Sequence, residues 1–198
     1  MRNNLWIGSG ILGRGGIPML GTGARGLTYL IRELFRNGGQ GFAYDPTTLS
    51  TMYQNVAGTN PVTKLGQPIA KLQDLSGQGL HALQPTANLR PILLRGGFQY
   101  PDNSSGFIVD IPVELTDCTV IMSSQANVLG IATGQTVSAG SIYITPDGLC
   151  MVINRMLTEF EIAALKAATR STSTQIPYWQ LNSQSLMWNP EDTTLMWS

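Results

Sequence analysis

The 198-residue sequence predicts a mainly β protein organised as an antiparallel sandwich. Three observations carry that expectation. Runs rich in Ile and Val recur at 106–113, 118–123, 128–133, 141–145 and 149–153. Turn formers separate them, at Pro101-Asp102-Asn103, Ala139-Gly140 and Pro146-Asp147-Gly148. The intervals are too short for the crossover helices that parallel βαβ units need.

Taken in order, residues 1–26 read as an extended arm. Eight glycines and Pro18 forbid a stable helix or a long strand. Yet Leu5, Trp6, Ile7, Ile11, Leu12, Ile17, Met19 and Leu20 are too apolar for an ordinary solvated tail. Such a segment orders either against another chain or against its own domain.

Residues 27–61 form a helical lead-in. Leu27, Leu30, Ile31, Leu34 and Phe35 make one apolar stripe at helical spacing, and Asn37-Gly38-Gly39 is a stop signal. Asp45-Pro46-Thr47-Thr48 reads as an N-cap with proline at the first helical position. It predicts a short helix with Leu49, Met52 and Tyr53 turned inward.

The sandwich itself is assigned to residues 62–170 and ends in a helix. Thr158 and Glu161 are spaced as a capping box, and Leu157 and Ile162 as a hydrophobic staple. Residues 171–198 are a tryptophan-rich extension in which Leu186-Met187-Trp188 recurs as Leu195-Met196-Trp197, with Trp179 nine residues upstream of Trp188. Large aromatics at that spacing suit successive anchors in pockets of a neighbour or of the parent domain.

Charge divides unevenly along the chain. Lys and Arg number 12, Asp and Glu number 12, and charged residues are 12% of the total, about half the roughly 25% usual for soluble domains. Arg2, Arg14, Arg25, Arg32 and Arg36 against Glu33 leave residues 1–41 at +4, so the neutral chain has −4 in the remainder. Zero net charge excludes a generally basic nucleic-acid binder, and so few charges suit a subunit with partners. The N-terminus breaks into glycines too early for a secretory h-region, and no run reaches the roughly 18 apolar residues of a membrane span. Cys118 and Cys150 read as two buried thiols; a disulfide between them requires neighbouring strands.

Two stretches carry a family resemblance. The segment Asp74-Leu75-Ser76-Gly77-Gln78-Gly79-Leu80-His81-Ala82, continuing to Arg90-Pro91, resembles a D-x-S-G-x-G-x-H-A…R-P segment of concanavalin A-like/laminin G-like jelly-roll domains. Leu157-Thr158-Glu159-Phe160-Glu161-Ile162 resembles the short helix that commonly ends them. Upstream, 34–46 with Gly58-Thr59-Asn60-Pro61 and Gly66-Gln67-Pro68 looks like a module of tailed-bacteriophage structural proteins. The resemblance implies a reduced concanavalin A-like antiparallel β-sandwich (a jelly roll) with short flanking helices and extended terminal arms. It is reduced because the interval from Pro91 to Leu157 is short for a dozen strands of about 5–6 residues each.

The same resemblance implies a non-enzymatic virion protein of the tail, tail tip or fibre, homo-oligomeric and bound to other virion proteins. Trp6, Ile7, Ile11 and Leu12 in the arm and Trp179, Trp188 and Trp197 in the extension are the expected attachment residues. A host receptor or surface glycan is the alternative partner. No cofactor and no metal are expected.

Reactive constellations are weak. His81, the single histidine, lies close to Asp74 and Ser76, but triad members come from separate segments and no G-x-S-x-G elbow is present. The expected arrangement is a turn built by Asp74 and Ser76 with a hydrogen-bonded His81 beneath it. Asp102, Asp110, Glu114 and Asp117 could supply a glycosidase pair only if two faced one groove about 5–10 Å apart. The G-x-G-x-x-G at 8–13 follows no strand, so it lacks the context of a nucleotide loop.

Overall fold

The computed structural model describes residues 26–95, 97–102, 105–123 and 128–169, together with the backbone of 173–175, 180–182 and 185–187. Its elements are α1 (Leu27–Phe35), β1 (Gly41–Tyr44), a 3₁₀ turn (Leu49–Thr51), β2 (Met52–Tyr53), β3 (Lys71–Leu72) and β4 (Ala82–Leu83). A second 3₁₀ turn (Ala87–Leu89) precedes the hairpin β5 (Ile92–Leu94) and β6 (Gly97–Gln99). Then come β7 (Phe107–Ile111), β8 (Leu115–Ser123), β9 (Val128–Val137), β10 (Gly140–Ile144) and β11 (Cys150–Ile153). The chain continues through α2 (Glu159–Ala168), β12 (Ser173–Gln175), β13 (Gln180–Asn182) and β14 (Ser185–Met187).

The fold is mainly β, with one sheet in the order β1-β11-β8-β9-β12 and another in the order β13-β14-β10-β7-β4-β3-β2. Pairings are antiparallel except β9 with β12 and β10 with β14. Alternation along the strands builds two cores on opposite faces of the first sheet. Phe42, Val120, Met122, Cys150 and Val152 point from it toward Phe107, Val109, Ile111, Ile142 and Ile144 of the second sheet. Ala43, Ile121, Leu129, Met151 and Ile153 point the other way and meet Leu30, Ile31, Leu34, Phe35 and Leu165 of the two helices. All four residues of β1 and all four of β11 are buried, since both of their faces are covered. The result is three layers: sheet, sheet and a helix pair.

Each helix has a local cause and a packing cause. The stripe on α1 buries Leu30, Ile31, Leu34 and Phe35, each contributing roughly 1.5–3 kcal/mol of transfer free energy. On α2 the capping box is complete: the Glu161 N–H donates to Thr158 Oγ1 and the Thr158 N–H donates to Glu161. Arg155 then donates to both oxygens of Glu161, at 2.9 and 2.7 Å, and to the Leu34 carbonyl at 3.1 Å. One guanidinium thus ties the start of α2 to the end of α1. Burial by itself would raise the Glu161 carboxyl, but the hydrogen bonds from Arg155 and Thr158 hold it below its ordinary range.

The expectation for the segment after Asp45 changes. The predicted helix after Asp45 is a single 3₁₀ turn: Asp45 accepts from the Thr47 N–H and from the hydroxyls of Thr47 and Thr48, closing a tight loop. Met52 then pairs with Leu72 as strand, and Leu49 is exposed rather than inward. Strands of the 27–61 lead-in pair with strands of 62–170, β1 with β11 and β2 with β3. Cys118 and Cys150 do lie on neighbouring strands, but Cys150 pairs with Met122, four positions along β8 from Cys118. At about 3.3 Å per residue that offset exceeds the roughly 7 Å Cα limit for a disulfide, and both thiols are free and buried.

Candidate functional site

The 74–91 segment carries the densest polar network. Asp74 is buried, and its carboxylate accepts from the Ala43 N–H (3.0 Å), the Ser76 N–H (2.9 Å), the Ser76 hydroxyl (2.6 Å) and the Leu80 N–H (3.1 Å). Ser76 in turn accepts from the Gln78 N–H at 3.1 Å. Tyr44 Oη donates to the Leu80 carbonyl, pinning the far side of the loop to β1. Glycines at 77 and 79 take φ of +87° and +79°, which this tight path requires.

His81 Nδ1 accepts from the Asp74 N–H at 3.1 Å, which fixes the neutral ring with its proton on Nε2. Burial is the largest cause depressing its pKa, with Lys71 adding to it and Asp74 opposing. Ser76 Oγ donates to the Asp74 carboxylate rather than to His81, so these three residues form a loop clasp and not a nucleophilic relay. This is the hydrogen-bonded turn expected from the sequence.

Arg90 completes the motif structurally. Its guanidinium donates to the backbone carbonyls of Gln84 (3.2 Å), Pro85 (3.2 Å) and Gln54 (3.3 Å), joining two loops without a carboxylate partner at these contacts. Gln84 is buried and donates to the Gly106 carbonyl at 2.7 Å.

The four acids considered for chemistry sit on different elements. Asp102 belongs to the turn before β7 and accepts from Ser105, and Asp110 lies on the solvent face of β7 and accepts from Ser141 across to β10. Glu114 is exposed between β7 and β8. Asp117 takes φ +51° at the bulge of β8, where register shifts on both sides of Cys118. Among the described residues, no three of His, Cys, Asp and Glu come together as metal ligands. None of the helices there is long and apolar enough to cross a membrane.

A cleft of about 580 Å³ opens where the ends of both helices meet the β5–β6 hairpin and the 146–149 turn. Its wall mixes Leu27, Leu49, Leu65 and Leu94 with Asp45, Arg95, Ser123 and Asp147. Leu49, Leu65 and Leu94 are exposed. Desolvation pushes the Asp147 carboxyl up. Sequence reasoning missed this cleft because its residues come from seven separate segments; the exposed leucines between turn formers are the only local signal.

The expected attachment residues Trp6, Ile7, Ile11, Leu12, Trp179, Trp188 and Trp197 all lie outside the described residues. Before Trp179, β12 adds to the edge of β9, and between Trp179 and Trp188, β14 adds to β10 with β13 outside it. These strands of the extension therefore join this chain's own sheets. Set against family models, curated proteins and solved structures, the chain matches none.

Proposed function

We propose that this chain is a non-enzymatic structural subunit of a bacteriophage particle, placed in the tail, tail tip or fibre apparatus. In this reading the sandwich is a reduced concanavalin A-like jelly roll, and the terminal segments attach it to neighbouring virion proteins. The observation that carries the proposal is the surface. On a chain with only 12% charged residues, Leu49, Leu65 and Leu94 stand exposed at one cleft, and Met156 and Phe160 stand exposed at α2. Large apolar side chains on a charge-poor surface fit a protein whose working state is an assembly. The polar side chains of the 74–91 motif hold backbone rather than face a common ligand, which fits the same structural reading.

Particles assembled with a chain lacking 1–25, or with Trp179, Trp188 and Trp197 replaced by Ala, test this. The expected result is loss of the chain from purified particles while the isolated variants keep wild-type circular dichroism. Normal incorporation of both variants overturns the proposal.

The cleft favours one second reading, a receptor- or glycan-binding module, because it presents carboxylates and hydroxyls beside leucines. That reading expects the purified chain to bind a glycan array or block adsorption to host cells; silence in both removes it.

A further inference from the structure

We infer that the outer face of α2 docks against the same face of a second copy of this chain, the two helices lying antiparallel about a two-fold axis. The starting point is that α2 is apolar on two sides. Its inner side buries Leu165 and packs Leu157 and Ile162 into the helix-side core. Its outer side carries Phe160, Ala163 and Ala167, all exposed, while Ala164 packs against the helix-side core. The three exposed positions fall at i, i+3 and i+7, so they form one continuous stripe. Met156, just before the helix, extends it. Phe160 is 88% exposed and Met156 65% exposed, the two most exposed large apolar side chains among the described residues.

The stripe is self-complementary, and that selects the occupant. It has a large knob at its N-terminal end and a shallow alanine surface toward its C-terminal end. An antiparallel copy places each Phe160 between Ala163 and Ala167 of the other helix, with the two Ala163 residues next to the axis. Small residues there let the backbones approach, as ridge-into-groove packing requires.

Charge agrees with the same arrangement. Glu159 and Lys166 are seven residues apart and share one flank of the stripe. Neither takes part in the two ion pairs among the described residues, Arg36–Glu33 and Arg155–Glu161. Antiparallel pairing sets Glu159 of each copy opposite Lys166 of the other, twice per dimer, and opposes the two helix dipoles. In a parallel pairing the flank that carries both charges would face the partner's other flank, and these two contacts would be lost. A ten-residue helix is only about 15 Å long, so this face is well below the roughly 800 Å² per partner of a stable dimer. The contact is therefore concentration-dependent for the free chain, and is strengthened when copies are held together in an assembly. It adds a defined self-contact to the assembly reading without depending on the terminal segments or on the kind of particle.

The test is cysteine trapping in the full chain, whose native thiols are buried. Ala163→Cys should oxidise to a disulfide-linked dimer on a non-reducing gel, at least tenfold faster than Glu114→Cys, an exposed position outside α2. Adding Phe160→Glu or Glu159→Lys should suppress that dimer. Combining Glu159→Lys with Lys166→Glu should restore it, although both changes oppose the helix dipole and so weaken α2 itself. Circular dichroism confirms that each variant is folded. Trapping of Ala163→Cys at the rate of the Glu114→Cys control, or a charge swap that fails to restore it, overturns the inference. Particle incorporation is read separately, so a failure here leaves the proposed function standing or falling on its own experiment.

Discussion

Asp74 reaches out of its loop to the backbone of Ala43: the carboxylate accepts the Ala43 N–H at 3.0 Å, and the Leu75 N–H returns a bond to the Ala43 carbonyl at 2.8 Å. This exchange extends β1 sideways with a loop where another sheet would place a strand. It is also the point at which the motif of the sequence becomes tertiary structure.

Asp74→Asn should test how much that loop matters. An amide keeps one acceptor oxygen but sets an NH₂ against the Leu80 N–H and the Ser76 hydroxyl. A loss of about 1.5–3 kcal/mol is expected, from leaving buried donors unpaired, and Asp74→Ala should cost more. Urea unfolding of the three proteins measures it; a shift under about 0.5 kcal/mol would contradict the assigned role.

His81 sets a pH dependence. Its folded pKa lies below the ordinary 6.5, with burial the largest cause, so the folded state prefers the neutral ring. In the interval between the folded value and 6.5 the unfolded chain binds the extra proton. Stability is therefore complete above about 6.5 and declines as pH falls through that interval, where protonating Nδ1 also breaks the bond from the Asp74 N–H. Thermal melts should show this decline, and it should flatten in His81→Gln. An unchanged pH profile in the variant would exclude His81 as its source.

The cysteines should be inert. Burial pushes the Cys118 thiol up to about 11 and the Cys150 thiol up to about 12, so the thiolate is negligible near neutrality. Maleimide should label neither in the native protein and both in urea. Mass spectrometry of unreduced chain should find two thiols; a disulfide would require register other than Cys150 opposite Met122.

Gly41 should be irreplaceable. It opens β1 at φ +132°, and a Cβ there would fall inside the Val152 carbonyl of β11. Because this contact is with backbone, no rotamer change relieves it. Gly41→Ala should lose well over the typical 1 kcal/mol of a point change, while Gly38→Ala, with open space around its Cβ, should lose less. Comparable midpoints for the two would refute the difference.

Much of this was written locally. The α1 stripe, the Thr158–Glu161 box and the clasp around Asp74 depend on residues within a few positions of one another, so their spacing already states the geometry. The five strand-like runs are all present, and β8 and β9 extend further, to Leu115–Ser123 and Val128–Val137. β1 was less visible: Gly-Phe-Ala-Tyr is too short for a period to show, though a buried apolar run closed by Asp45-Pro46 was its available sign.

What the sequence alone determined is the class of the fold, the ends of its second helix and the residues that shape its loops, because each is a matter of short-range periodicity and hydrogen bonding. Tertiary structure decided which faces those elements share. It put a helix pair on the back of one sheet, offset two cysteines by four positions on adjacent strands and gathered seven segments around a cleft. It also left Phe160 in solvent on a helix whose one buried residue is Leu165. Those outcomes depend on register and on long-range packing, and neither is encoded in any single window of residues.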